Sequence, residues 1–142
     1  MKRLLAFFVI LVLLVPTFGC GKREMTVTIV NLCDEAIYAV RMEYAIGDDA
    51  VGGREVSLSP ENDAAIPAGE ELHFRFTKQD LPENADLRGF RFEIFLLLED
   101  GTEVSVGTLG VAAAWGGEYV YSVVGDSEKG FRFQRGNRSE TA

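Results

Sequence analysis

The chain has 142 residues, of which 14 are basic and 22 acidic, and its sequence pI is near 4.7. This length suits one domain with a modest hydrophobic core. Without Lys2 and Arg3 there are 12 basic and 22 acidic residues, so the rest of the chain carries a net charge near −10. A nucleic-acid partner requires a basic surface, which this charge argues against.

The first residues have the pattern of a secretory signal. Lys2 and Arg3 supply a positive start, residues 4–15 form an apolar run of twelve, and Pro16 ends it. A helix that spans a bilayer needs roughly 20 apolar residues, so length and Pro16 disfavour a permanent transmembrane anchor. We therefore expect an exported protein.

The sequence Thr17-Phe18-Gly19-Cys20 resembles the lipobox of bacterial lipoproteins. Gly19 and Cys20 match that motif, whereas Thr17 replaces the usual Leu and Phe18 the usual small residue. The resemblance implies that Cys20 receives a diacylglyceryl group and acyl chains such as palmitate, and that the signal is cut before it. Residues 1–19 are then the signal peptide and residues 20–25 the lipidated cysteine and a short tether. The expected location is the extracytoplasmic side of the bacterial cell membrane.

Beyond the tether, apolar and polar residues alternate with the period of two that marks half-buried strands. The pattern is strongest in residues 90–98, where one face is wholly apolar and Phe95 and Leu97 add apolar residues to the other, so this strand is expected at the centre of its sheet. The expected strands are residues 26–31, 37–46, 55–58, 71–77, 90–98, 103–109, 118–124 and 131–134.

The connections are rich in Gly, Pro, Asn and Asp, as turns and loops are. Residues 47–53 and 59–69 are expected as loops, and residues 78–89 as a long polar connection with one helical turn near Gln79. Asp100-Gly101 is expected to form a tight hairpin turn with φ above zero at both residues. Residues 112–115 are compatible with one helical turn.

Seven or eight short strands with frequent turns predict an all-β fold, a single antiparallel β-sandwich of immunoglobulin-like or similar type over residues 26–134, followed by a disordered tail at residues 135–142. Residues 27–31 (VTIVN), 67–69 (PAG) and 99–101 (EDG) give this part a similarity to the small, mostly uncharacterised β-sandwich domains of many bacterial lipoproteins. That similarity implies a fold and no activity.

Three aromatic residues, Trp115, Tyr119 and Tyr121, lie close to Gly116 and Gly117 and are candidate binding residues. They either pack in the core or line a ligand groove, because Trp and Tyr are enriched at binding hot spots. Loop residues 47–53, 78–89 and 115–117 are the places where a partner is expected to bind.

Asp48 and Asp49 are candidate binding residues that either hold a calcium ion or form a solvated turn; because adjacent side chains of an extended chain point apart, we expect no metal site. His73, the sole histidine, is expected on the polar face of its strand. Cys33 is either a small buried hydrophobe or an exposed thiol kept unreactive by Asp34 and Glu35. We expect no cofactor and no catalytic residue.

Two function classes remain. The first is a membrane-anchored binding module of the cell envelope that does not catalyse a reaction, with an envelope protein or a small ligand as its partner. The second is a small envelope enzyme or inhibitor-like lipoprotein with a site built from carboxylates such as Glu43, Glu93 and Glu103.

Overall fold

In a computed structural model, residues 24–56 and 64–135 are described, and they form a β-sandwich. The signal segment, Cys20, residues 57–63, which include the end of the expected strand 55–58 and the first part of the expected loop 59–69, and the tail after residue 135 lie outside the described residues. No helix of the described part has the length and apolar character needed to cross a membrane. The strands of the described part are β1 (Glu24–Cys33), β2 (Ile37–Ile46), β3 (Asp49–Val56), β4 (Glu71–Thr77), β5 (Phe90–Leu98), β6 (Glu103–Val111), β7 (Glu118–Asp126) and β8 (Gly130–Arg135), with a short 3₁₀-helix at Leu87–Gly89.

The all-β sandwich expected from the sequence is confirmed: two four-stranded sheets have the orders β4-β1-β7-β8 and β3-β2-β5-β6. Strands β2, β4 and β5 have the expected bounds, and β5 lies between β2 and β6 as its two apolar faces indicate. One feature differs from a purely antiparallel sandwich, because β1 and β7 pair in parallel. They are separated by most of the domain, so no hairpin constrains their relative direction.

The core lies between the inner faces of the two sheets. Leu72, Phe74 and Phe76 of β4 are buried, whereas His73 and Arg75 point outward, as the alternation predicts. An aromatic network crosses the core, with centroid distances of 4.9 Å for Tyr44–Phe76, 5.3 Å for Phe76–Phe90 and 5.9 Å for Phe92–Phe133. These ring pairs join the sheets, since the members of each pair belong to different sheets.

The expectation of a loop at residues 47–53 is wrong, because β3 begins at Asp49 and pairs with β2 directly after a two-residue turn. Gly47 has a φ of +62°, whereas the φ of Asp48 is not positive. This combination matches a type II′ hairpin turn with glycine at its first central position. The Gly-Asp pair between two strands is itself a signal for this turn. The glycines at positions 52 and 53 favour a loop by composition and so hide this turn signal. Gly52 is suited to its place in the strand, because a Cβ atom there would lie only 3.2 Å from Tyr44 Oη.

The turn after β5 also differs from the expectation. Gly101 has a φ of +80°, but Asp100 does not have a positive φ, and the amide of Gly101 donates to Leu98 O at 3.0 Å. The amide of Leu98 donates to Thr102 O at 2.9 Å, so three residues, Glu99 to Gly101, form the loop. This is a type I turn followed by a left-handed glycine, the common three-residue hairpin. The helical turns considered near Gln79 and at residues 112–115 are absent from the described secondary structure, which has turns and coil there.

The sandwich has two ends that differ in what they connect. We call the end where β1 begins the entry end; it contains Glu24, the β4–β5 connection at residues 78–89, the β2–β3 turn and residues 112–117. The opposite, far end contains the connections at residues 34–36, 99–102 and 127–129. Hydrogen bonds hold each end together, such as Gly116 N to Glu24 O at 2.9 Å at the entry end and Asp34 N to Gly125 O at 2.9 Å at the far end.

Candidate functional site

A concavity at the entry end brings together two segments that the sequence marks as binding loops. We call it the Trp115 groove; it has a volume of about 630 Å³ and is lined by Lys78, Leu81, Pro82, Glu83, Asn84, Ala85 and Trp115. This volume lies in the range of small-molecule sites. The groove therefore joins the connection after β4 with the segment before β7.

The β4–β5 connection is shaped by local hydrogen bonds. The carboxylate of Asp80 accepts from the amide of Thr77 at 2.7 Å and from its hydroxyl at 2.8 Å, which closes the first turn. The amide of Ala85 donates to Pro82 O at 3.1 Å, and Asn84 has a φ of +63° at the third position of that turn. Asn tolerates this conformation better than most residues, and it suits a type II turn. The rim of the groove is thus a defined turn.

The floor of the groove is continuous with the core. Leu81 and Leu87 are buried, and Ala85 packs against the core cluster. The amide of Ala113 donates to Leu87 O at 3.1 Å, which ties the segment that carries Trp115 to the β4–β5 connection. The two sides of the groove are therefore linked by a backbone hydrogen bond as well as by packing.

Trp115 is partly buried: it packs against the core cluster on one side and lines the groove on the other. Its position is set by the backbone on both sides, because Gly116 N donates to Glu24 O at 2.9 Å and Thr26 N donates to Gly117 O at 3.0 Å. Both bonds fasten this segment to the beginning of β1. Trp115 thus combines the two roles that the sequence leaves open, core packing and groove lining.

Tyr119 and Tyr121 have other surroundings. The hydroxyl of Tyr119 accepts from the amide of Ala114 at 2.9 Å, and its ring lies so close to Gly117 that a Cβ there would approach Tyr119 Oη to 2.5 Å. Tyr121 packs with Phe92 at 5.7 Å and with Phe133 at 6.5 Å between the sheets, and burial raises the pKa of its hydroxyl. Tyr119 therefore supports the Trp115 segment, whereas Tyr121 belongs to the core.

Asp48 and Asp49 are exposed at the β2–β3 turn, and Asp49 pairs with Ile46. The turn is fixed from the 3₁₀-helix and from β5, because Gly47 N donates to Gly89 O at 3.1 Å and the guanidinium of Arg91 donates to Gly47 O. Within residues 24–56 and 64–135 no group of three or more His, Cys, Asp or Glu side chains is arranged to hold a metal ion.

A second concavity of about 390 Å³ lies on the outer face of the β3-β2-β5-β6 sheet and includes Arg41, Glu43 and Glu93 in its lining. Arg41 donates to both carboxylate oxygens of Glu103, at 3.0 Å and 2.5 Å, and also to Glu43. Its guanidinium carbon lies 4.1 Å from the ring centroid of Phe95. We call Arg41, Glu43, Glu93, Phe95 and Glu103 the Arg41 cluster.

The electrostatics of the Arg41 cluster follow from these contacts. Hydrogen bonds to Glu103 and Glu43 raise the pKa of Arg41, and the bond from Arg41 holds the pKa of Glu103 below its usual range. Glu43 and Glu93 are directly opposite each other on β2 and β5, and Glu93 accepts from the Ser105 hydroxyl at 2.5 Å. Carboxylates in directly opposite positions repel each other. The hydrogen bonds from Arg41 to Glu43 and from Ser105 to Glu93 offset this repulsion.

The three glutamates proposed from the sequence for a carboxylate site are thus brought to one sheet face, whereas Arg41 and Phe95 were not recognised as part of it. Period-two alternation places Arg41 and Glu43 on one face of β2, but only the register Arg41–Phe95 shows which residues of β5 lie beside them. That register could not be obtained from local sequence.

His73 is exposed, and its Nδ1 lies 2.9 Å from Thr28 Oγ1 on the outer face of the other sheet, as expected for a surface histidine. Cys33 is partly buried at the end of β1, and its thiol donates to Val123 O at 3.6 Å. Burial first, then Glu35 and Asp34, raise the pKa of the thiol to about 12. Both alternatives for Cys33 therefore hold in part, since burial and the two acidic neighbours each raise the pKa of its thiol.

Comparisons with known proteins add a fold relationship. No protein-family model matches this chain, and no curated protein matches it. A solved structure described as the NMR structure of the protein from Eubacterium rectale is similar to it with a TM-score of 0.51 and 9% identity, over 87% of this chain and 98% of that chain. At that identity the likeness concerns the fold alone: the chain shares its overall β architecture with a bacterial protein.

Proposed function

We propose that this chain is a lipid-anchored binding module of the bacterial cell envelope, held on the extracytoplasmic side of the membrane through Cys20, and that it binds through the Trp115 groove without catalysing a reaction. Two acyl chains or more hold a protein stably, since each buried methylene contributes about 0.8 kcal/mol. The signal-like residues 1–19 and the lipobox-like motif support the anchor.

The observation that carries the proposal is the position of the groove beside the start of β1. β1 begins at Glu24, only four residues after Cys20, and four extended residues reach at most ~14 Å. The backbone bond from Gly116 to Glu24 places Trp115 beside that start. A concavity with a half-buried tryptophan therefore lies beside the residue that four chain steps join to the proposed anchor, which supports binding close to the membrane.

The anchor is tested by the variant Cys20→Ala. We expect this protein to leave the membrane fraction or to keep its signal peptide, because no thiol remains for lipid attachment. Cell fractionation and the intact mass of the protein measure both results. Cys33→Ala is the matched control, since Cys20 and Cys33 are the two cysteines of the chain, and it should stay lipidated and membrane-bound. Unchanged mass and membrane association of Cys20→Ala would contradict the proposal.

A second candidate function, a carboxylate-based envelope hydrolase, is favoured by one observation: Glu43 and Glu93 line the same concavity, and Glu103 is joined to it through Arg41. If the binding proposal is correct, the wild-type protein and the Glu93→Gln variant give the same hydrolysis rates in a screen of envelope substrates. The control variant is Glu71→Gln, which changes a glutamate of the other sheet. The enzyme would be supported instead if Glu93→Gln lost a measurable hydrolase activity that Glu71→Gln retained, with both circular dichroism spectra unchanged.

A further inference from the structure

We propose that the Trp115 groove and the surrounding entry end rest on the headgroup layer of the membrane that carries the anchor, with zwitterionic phospholipid as the occupant of the groove. This inference rests on the proposed lipidation of Cys20. It assigns the groove a ligand class and gives the domain a fixed orientation, with the far end directed away from the bilayer.

The length of the tether limits where the groove can be. Between Cys20 and Glu24 there are three residues, Gly21, Lys22 and Arg23, so the Cα atom of Glu24 stays within ~14 Å of the Cα atom of Cys20. Trp115 is bound to that start through the neighbouring Gly116. The headgroup and interfacial region on each side of the hydrocarbon is itself several ångströms deep, so the groove lies within reach of it.

The chemistry of the groove suits an interface between apolar and polar layers. Leu81, Pro82 and Trp115 supply an apolar lining, and Trp side chains favour the headgroup level, where one part of the ring is dry and the indole N–H is wet. Lys78 and Glu83 are exposed in the same lining and give it one positive and one negative group. A zwitterionic headgroup offers a phosphate to Lys78 and an ammonium to Glu83.

The charges of the two ends differ in the sense that this orientation requires. The described side chains at the far end are mostly acidic: Asp34, Glu35, Glu70, Glu71, Glu99, Asp100, Glu103, Asp126 and Glu128, with Lys129 and Arg132 as basic residues among them. The entry end mixes both signs, with Arg75, Lys78, Arg88 and Arg91 among Glu24, Asp48, Asp49, Asp80, Glu83, Asp86 and Glu118. Anionic lipid repels the far end more strongly, so the entry end faces the bilayer.

The test uses Trp115 itself, because it is the sole tryptophan of the chain. The lipidated protein, processed by the cell, is purified from bacterial membranes in detergent and its mass is measured. It is then reconstituted into phosphatidylethanolamine–phosphatidylcholine vesicles with or without lipids brominated near the headgroup. We expect bromine to remove about half of the Trp115 emission, as for a tryptophan in the interfacial belt.

The matched control moves the tryptophan to the far end. In the double variant Trp115→Phe, Leu32→Trp, the indole replaces a leucine that is 44% exposed, about 26 Å along β1 from Glu24. Its emission should not respond to brominated lipid. Equal quenching at the two positions, or none at Trp115, would overturn the orientation and leave the groove to a soluble partner. A mass without lipid on Cys20 would instead overturn the anchor, and the mass alone distinguishes that failure from a failure to dock.

Discussion

At the scale of single residues, Cys33 shows how burial controls reactivity. The thiolate is the nucleophilic form, and the rise of the Cys33 pKa from the usual 9.0 to about 12 strongly reduces the thiolate fraction at neutral pH. Because the pKa is raised in the folded state, the contribution of this thiol to stability is complete below pH 9.0 and is lost as the pH rises toward 12. Cys33 is therefore expected to be inert in the native protein.

We predict that native Cys33 reacts with iodoacetamide at pH 8 at least about tenfold more slowly than the urea-unfolded chain, since the raised pKa of the folded thiol leaves less thiolate, an effect that the higher nucleophilicity of that thiolate offsets only in part. The Cys20→Ala variant leaves Cys33 as its single thiol, and mass spectrometry follows the alkylation. Similar native and unfolded rates would show that the thiol is solvated.

At the scale of elements, β5 carries the centre of its sheet. Leu96 is 1% exposed and faces the core, whereas Leu97 is partly exposed on the outer face beside Ala39. An unpaired buried carboxylate costs several kcal/mol, a large part of the 5–15 kcal/mol that stabilises a typical domain. The two neighbouring positions thus allow a matched comparison on one strand.

We predict that Leu96→Asp abolishes cooperative unfolding, whereas Leu97→Asp lowers the free energy of unfolding by about 1 kcal/mol, as for a partly exposed position. Thermal unfolding followed by far-ultraviolet circular dichroism measures both. A folded, cooperative Leu96→Asp protein would contradict the central position of Leu96 in the core.

At the scale of the whole molecule, the path of the chain makes the two ends of the sandwich different. β1 runs between β4 and β7, so the N-terminal entry of the domain is surrounded by residues 78–89 and 112–117. The excess of acidic over basic side chains is larger at the opposite end. If Cys20 is the anchor, the same topology that builds the groove also directs it toward the membrane.

The sequence by itself determined the signal-like segment, the lipobox resemblance and the strands whose side chains alternate cleanly, such as β2, β4 and β5. Period-two burial is a local property, so it can be read from neighbouring residues. The tertiary structure decided the parallel β1–β7 pair, the strand at Asp49–Val56, the meeting of Trp115 with Leu81 and the placement of Arg41 over Phe95. The strand at Asp49–Val56 forms because its pairing with β2 overrides a glycine-rich composition. The other three features depend on pairing or packing between segments that are distant in sequence, and no local pattern encodes such a register.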